Sequence, residues 1–394
     1  MWTAHWFLSG PSTDGGRTRI PTLHKTGNVE DNDTNTESNA DKSQLLFDSF
    51  YRAHNPEHGT RADAAYPSPK FALAPITDAQ VLRAISQLHA YKAPGDDNIL
   101  NAVFIKCSNI LVPYLGHLYW ATFALAIYPQ EWKDSRTVVL HKPGKPDYTV
   151  PGAYRPIALI RTISKILSSC IADELMQLSE KHRLLPANHF GCRAGHSTSD
   201  SLHYITKIAK DAMSKGKVVS ALFLNIKGAF PSVNLERLVH DMRKRGIPVE
   251  YTDWITWKIG GRRTTMAFDG YESPLFILPC GTDQGCPLSG MLFQFYNADL
   301  IDIADTSKGE DAVAFVDDTA LLATASTFKA ANQKLKVMME QVNGGCTWAA
   351  SHGCEFAVEK FALISFSRKT QPATALPQGH PPQTRYPRKT QPTT

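Results

Sequence analysis

The sequence predicts a folded chain in which short strands alternate with amphipathic helices, and three observations carry that expectation. The 394 residues set a prior of two to three domains of about 150 residues each, enough to bury a core. With 42% hydrophobic and 20% charged residues, the chain is too apolar to be wholly disordered and lacks collagen or coiled-coil periodicity. The apolar spacing also switches repeatedly between a helical and a strand-like period.

The stretch from about Gly10 to Ala40 is turn-forming and acidic and reads as a poorly ordered leader within a 1–74 linker region. Thr77 and Gln80 have the spacing of a capping box and open the helix VLRAISQLHA, whose apolar residues Val81, Leu82, Ile85 and Leu88 are expected on one face. Short helices should follow to Trp132. RTVVLHK then reads as a strand ended by the Pro143-Gly144 turn, and AYRPIALIRTISKILSSCIADELMQL as the entry into a long amphipathic helix. The apolar run VVSALFLNI suits a strand buried on both faces. NLERLVHDMRKRGIP has helical spacing, and TTMAFDGYESPLFILP is a hairpin built on Asp269-Gly270. After the loop GTDQGCP come the helix SGMLFQFYNADLIDIA and two strands, AVAFVDDTALLAT, meeting at Asp317-Asp318. Ser326 can cap the helix FKAANQKLKVMMEQVNG, and FALISF is a last strand ending at Phe366. From residue 368 onward the chain is rich in Pro, Thr and Gln, repeats RKTQP and has no Asp or Glu, so a disordered basic tail is expected.

Lys plus Arg exceed Asp plus Glu by 42 − 37 = 5, which permits a polyanionic partner without requiring one. The seven cysteines are odd in number and lack C-x-x-C spacing, so neither a disulfide framework nor a zinc site is suggested, and a reducing, intracellular compartment fits. Residues 1–10 lack the pattern of a signal peptide. Ser108 to Gln130 has no Asp, Glu, Lys or Arg, but it contains Pro113, Gly116, His117 and Pro129, so a buried helix pair is expected and no membrane span.

Asp317 and Asp318 lie side by side between apolar strands, and adjacent carboxylates repel unless solvent or a cation relieves them. A D-D turn alone is most often a solvated hairpin tip. Around it, however, KAPGDDNI, WKDSRTVVLHKPGKPD, YRPIALI, FGCRAGHSTSDSL, ALFLNIKGAF, GTDQGCPLSGMLF, FVDDT and FAVEKFALISF follow one another in order. In that order the chain resembles the reverse transcriptase of LINE-type (non-LTR) retrotransposons, from roughly Pro75 to Phe366.

The resemblance implies an α+β fold, the fingers and palm of a polymerase right hand with an antiparallel palm sheet. It places an N-terminal extension and fingers at 75–216 and the palm at 217–367. It also implies an RNA-directed DNA polymerase using Mg²⁺, or Mn²⁺ in its place, with an RNA template, a DNA primer and deoxynucleoside triphosphates as partners, and a nuclear location. Asp317 matches the metal ligand of the F/Y-x-D-D turn, and Asp318 the second acidic position. Phe230 stands where the family has the aromatic residue that excludes a ribose 2′-hydroxyl. Gln284 and Gly285 match the loop contacting nucleotide and template, Lys142 and Arg155 the triphosphate-holding residues of the fingers, and Lys360 the palm lysine that acts as general acid toward pyrophosphate.

The chain departs from the pattern where a two-metal site needs it most. Asn225 stands where the family has a bridging Asp, and Asn offers one neutral carbonyl oxygen and no charge. Pro231 follows the aromatic where an acidic residue is common. Cys192, Cys286, Asp283 and Gly290 replace the usual Phe, Ser, Pro and Pro. A thumb is expected to be missing, because no apolar periodicity follows Phe366. The expectation is therefore a reverse transcriptase fragment of weak or absent activity. Its rival is a catalytically dead remnant that grips nucleic acid through backbone phosphates, and a distant third is an unrelated metal-dependent phosphotransferase.

Overall fold

The computed structural model describes residues 19–24, 35–52, 60 and 64–368. A two-stranded ladder of β1 (Leu23–His24) and β2 (Asn35–Thr36) precedes the two larger sheets that organise them. A four-stranded sheet of order β11-β5-β10-β9 is antiparallel throughout, formed by β5 (Val218–Leu224), β9 (Glu310–Phe315), β10 (Asp318–Ala325) and β11 (Ala362–Phe366). Its strands are sandwiched between two apolar layers. Val219 and Ala221 of β5 and Ala320 and Leu322 of β10 face one core, while Leu224, Leu321 and Ala323 face another. That placement bears out the reading of VVSALFLNI as buried on both faces and gives the continuous apolar run its physical reason.

The second sheet has order β4-β3-β6-β7, with β8 also paired to β6. It comprises β3 (Ser135–His141), β4 (Tyr154–Ile160), β6 (Arg263–Phe268), β7 (Tyr271–Glu272) and β8 (Phe276–Ile277). The hairpin expected at Asp269-Gly270 forms there, with Phe268 opposite Tyr271 and positive φ at both turn residues (53° and 76°). β6 runs parallel to β3, so a hairpin from within 217–367 joins the sheet of the 75–216 region.

Four expectations need correction. Tyr154–Ile160 is a strand, not the start of the helix, which runs from Thr162 to His182. Pro156 has no N–H to donate, and an edge strand is where a sheet tolerates it. Leu82 is 50% exposed while Ala84 takes the inward position beside Val81 and Ile85. The capping box at Thr77 and Gln80 is present, but Thr327, not Ser326, caps Phe328–Glu340. Ser108–Ala124 is one helix, not a buried pair, with Ile110 and Tyr114 exposed.

Part of the expected leader is packed. Ile20 and Leu23 are buried with Leu46 and Phe47 of helix α1 (Asn39–Phe50), and the Ile20 amide donates to Asp269 Oδ2 at 2.7 Å. The basic tail after 368 lies outside the described residues. Among the described residues no helix is long and apolar enough to cross a membrane, and the seven cysteines are free.

Through the larger core runs helix α2 (Pro287–Ile301), whose Leu288, Phe293, Phe295, Tyr296 and Leu300 are fully buried. Apolar on all faces, this helix is enclosed by the core and packs against β9 of the four-stranded sheet.

Candidate functional site

Asp317 and Asp318 stand where β9 turns into β10. Phe315 pairs with Asp318, so Val316 and Asp317 form the turn and Asp318 opens the next strand. Asp318 is exposed. Asp317 is half-buried, and that burial lifts its carboxyl above the ordinary range, with the neighbouring Asp318 charge adding to the rise. A cation placed between the two would relieve both effects.

β5 lies antiparallel to β10 with Leu224 opposite Thr319, so Asn225 is the next residue along, level with Asp318. Its carbonyl accepts the Ala357 amide at 2.8 Å, and Ile226 bridges to Phe356. Asn225, Asp317 and Asp318 thus reach one end of the sheet although 317 − 225 = 92 residues separate the first two. Lys360 joins them there, because β11 pairs with β5 and the one-turn helix Val358–Lys360 precedes it at that end.

Phe230 follows on the turn after β5 and packs against Phe293, ring centroids 5.5 Å apart. Its carbonyl accepts the Thr282 amide at 2.8 Å, which ties it to the loop carrying Gln284 and Gly285. The Gln284 carbonyl accepts the Ala158 amide at 2.9 Å, so the loop also docks on β4. Gly285 has φ 122°, and a Cβ there would lie 2.9 Å from the Ala158 carbonyl oxygen, so no other residue fits the approach.

A cationic group gathers on the second sheet. Lys142, at the end of β3, donates from Nζ to the Gly152 carbonyl at 2.9 Å. Burial lowers its pKa, and the positive charges of Lys360, Lys145 and Arg155 lower it further. The Lys142 and Lys360 charges thus act on one another although the two residues come from different sheets, and Arg155 lies exposed on β4 opposite Leu140. Clustered cations are the groups that hold polyphosphates, and paired carboxylates those that hold divalent metals.

Sequence reasoning missed two contributors. Lys145 completes the cationic group, and its only signal was its place in the PGKP turn. Arg262 is 2% exposed and pairs with buried Asp283. It also donates to the carbonyls of Gly281, of Cys280 at 3.1 Å and of Ile259 at 3.1 Å, clamping the loop from behind.

The unusual residues are accommodated. Asp283 is neutralised by Arg262. A Cβ on Gly290 would sit 2.6 Å from Cys192 Sγ, so the Cys192 side chain fills the space that residue 290 leaves. Its surroundings raise the Cys192 thiol pKa, and the Asp317 charge contributes. Cys286 is buried in the core, and the Pro231 carbonyl packs against Gly281.

Among the described residues no three His, Cys, Asp or Glu side chains gather as a metal cluster. The chain's own donors at the turn are two carboxylates. That set fits a divalent ion completing its shell from phosphate oxygens and water, and it falls short of a closed protein cage.

Two carboxylates and Asn225 thus share one end of an antiparallel sheet, with Lys360 at the same end. The chain belongs to the reverse transcriptase (RNA-dependent DNA polymerase) family, whose model matches residues 140–386. Its relatives bear out the likeness to LINE-type enzymes. It is 29% identical over 309 residues to the probable RNA-directed DNA polymerase from transposon BS of Drosophila melanogaster, covering 77% of this chain and 33% of that protein. To the RNA-directed DNA polymerase from mobile element jockey of the same species it is 26% identical, covering 76% and 32%. To the probable RNA-directed DNA polymerase from transposon X-element it is 29% identical, covering 63% and 27%. The chain spans about a third of the length of these relatives. A telomerase structure from Candida tropicalis, in complex with a fragment of telomeric RNA, is similar at TM-score 0.46 and 11% identity over 73% of this chain and 48% of that one.

Proposed function

We propose that this chain is the fingers and palm of an RNA-directed DNA polymerase, transferring a deoxynucleotide from its triphosphate to the 3′-hydroxyl of a primer on an RNA template. The observation that supports it best is the meeting of Asp317, Asp318, Asn225 and Lys360 at one sheet end, with the Lys142 charge coupled to those of Lys360 and Arg155. Asp317 and Asp318 would hold Mg²⁺ or Mn²⁺, which when bound activates the primer hydroxyl and neutralises the phosphates. Lys142, Lys145 and Arg155 bind and orient the triphosphate by charge-assisted hydrogen bonds. Lys360 gives its proton to the departing pyrophosphate. Phe230 excludes a ribose 2′-hydroxyl, and Gln284 and Gly285 contact the incoming nucleotide and the template strand.

Asn225 favours the rival reading, a phosphate-gripping remnant without chemistry, because it removes a charge from the donor set. Primer extension on an RNA template with Mn²⁺, in the natural chain and in Asn225→Asp, separates the two. We expect weak incorporation by the natural chain and a rise of about 10²-fold in the variant, since each ~1.4 kcal/mol of transition-state stabilisation is tenfold in rate. Primer-template binding with no incorporation by either protein would select the rival.

A further inference from the structure

Val316, the residue before the two carboxylates, has φ 59°. The left-handed region is costly for a β-branched side chain and persists only where surrounding structure enforces it. Two things enforce it here. Gly191 lies so close to the Val316 amide that a side chain at 191 would collide with it, and the 188–190 segment is bonded along β9, with the Phe190 amide donating to Ala314 O at 2.8 Å and the Ala314 amide to Asn188 O at 3.1 Å. From the other side Asn297 of α2, fully buried, donates from Nδ2 to the Val316 carbonyl at 2.7 Å. A carbonyl can only accept, so the Asn297 amide orientation is fixed and its Oδ1 is left to accept the His189 Nε2–H at 3.0 Å. His189 is itself fully buried, with Nδ1 unpartnered.

We propose that Asn297, its amide oriented by His189, is a positioning residue for the Asp317–Asp318 turn, holding Val316 in the left-handed conformation that sets the two carboxylates side by side. The proposal rests on the reading of those carboxylates as the metal ligands. Neither residue touches the carboxylates. Asn297 acts through the peptide that carries them.

Two variants of the full chain test this, with Mn²⁺ titration and amide exchange as readouts. In Asn297→Leu, which keeps the side-chain size, the Mn²⁺ concentration at half-saturation should rise about tenfold, and exchange of peptides spanning 313–320 in metal-free protein should quicken about tenfold, the scale of one buried hydrogen bond. Exchange across 291–301 should stay unchanged. Adding Val316→Gly, which adopts positive φ without strain, should recover most of the Mn²⁺ affinity. A merely structural role for Asn297 predicts the reverse, because the second change removes more packing. Unchanged exchange at the tip, quickened exchange throughout 291–301, or a further loss of Mn²⁺ binding in the double variant would overturn the proposal. Should the natural chain bind no Mn²⁺, the metal reading fails and the tip exchange alone decides the role of Asn297.

Discussion

The acidic and the cationic sides of the site are built on opposite plans. Asp317 and Asp318 are short side chains on a turn whose backbone is held by Asn297, Gly191 and the segment along β9. Lys142, Lys145, Arg155 and Lys360 are long side chains at strand ends and loops, with Arg155 and Lys360 exposed. Short carboxylates must be aimed by the backbone, whereas long ammonium and guanidinium groups reach a partner from a range of backbone positions. The acidic side should therefore be sensitive to changes beneath it, and the cationic side tolerant of all but loss of charge.

The clamp between the two sides should give the largest effect. Arg262→Leu leaves the buried Asp283 carboxylate uncompensated and frees three carbonyls, so a loss of about 3–5 kcal/mol in urea unfolding is expected. A loss under about 1 kcal/mol would mean that the loop is held mainly by Phe230 and Ala158. Next, pH probes the acidic side through His189, whose burial depresses its pKa from 6.5 to about 4. A depressed folded-state pKa means that the unfolded chain takes up the proton first. The contribution is thus complete above about pH 6.5 and is lost as pH falls toward 4, up to about 3 kcal/mol. The difference in unfolding free energy between the natural chain and His189→Gln should shrink across that window, and a pH-independent difference would break the account.

Asn225→Asp should act in two directions at once. Without metal it adds a third carboxylate level with Asp318 and lowers the melting temperature, whereas with Mn²⁺ it should tighten binding about tenfold. A rise in melting temperature without metal would show that Asn225 does not face the pair. The smallest effects belong to the cationic side. Lys142→Ala should weaken binding of a deoxynucleoside triphosphate about tenfold, Lys142→Arg much less, and neither should shift the melting temperature by more than a few degrees. Equal losses in both would show that Lys142 is as tightly positioned as the carboxylates.

Much of this was legible from local pattern. The Asp269-Gly270 hairpin, the Thr77 capping box, the strand buried on both faces and the D-D strand turn all depend on residues within a few positions of one another. The state or the burial of elements whose partners are distant is not legible in the same way. Tyr154–Ile160 has a pattern compatible with a helix and became a strand because β3 was available to pair with it. Ser108–Ala124 and Pro287–Ile301 are both apolar on all faces, yet one leaves Ile110 and Tyr114 in solvent and the other is the central core helix.

At the site the same division holds. The order of motifs along the chain pointed to the carboxylates, the aromatic residue and the lysines, because each carries chemistry that its residue type declares. What holds them did not declare itself. Asn297 and His189 lie 108 residues apart and Arg262 and Asp283 lie 21 apart, and of the four only Asp283 falls within a motif that marks function. A buried amide or guanidinium earns its role only from the carbonyl or carboxylate that folding sets beside it, and which groups meet is decided by packing of the whole chain rather than by neighbours in sequence.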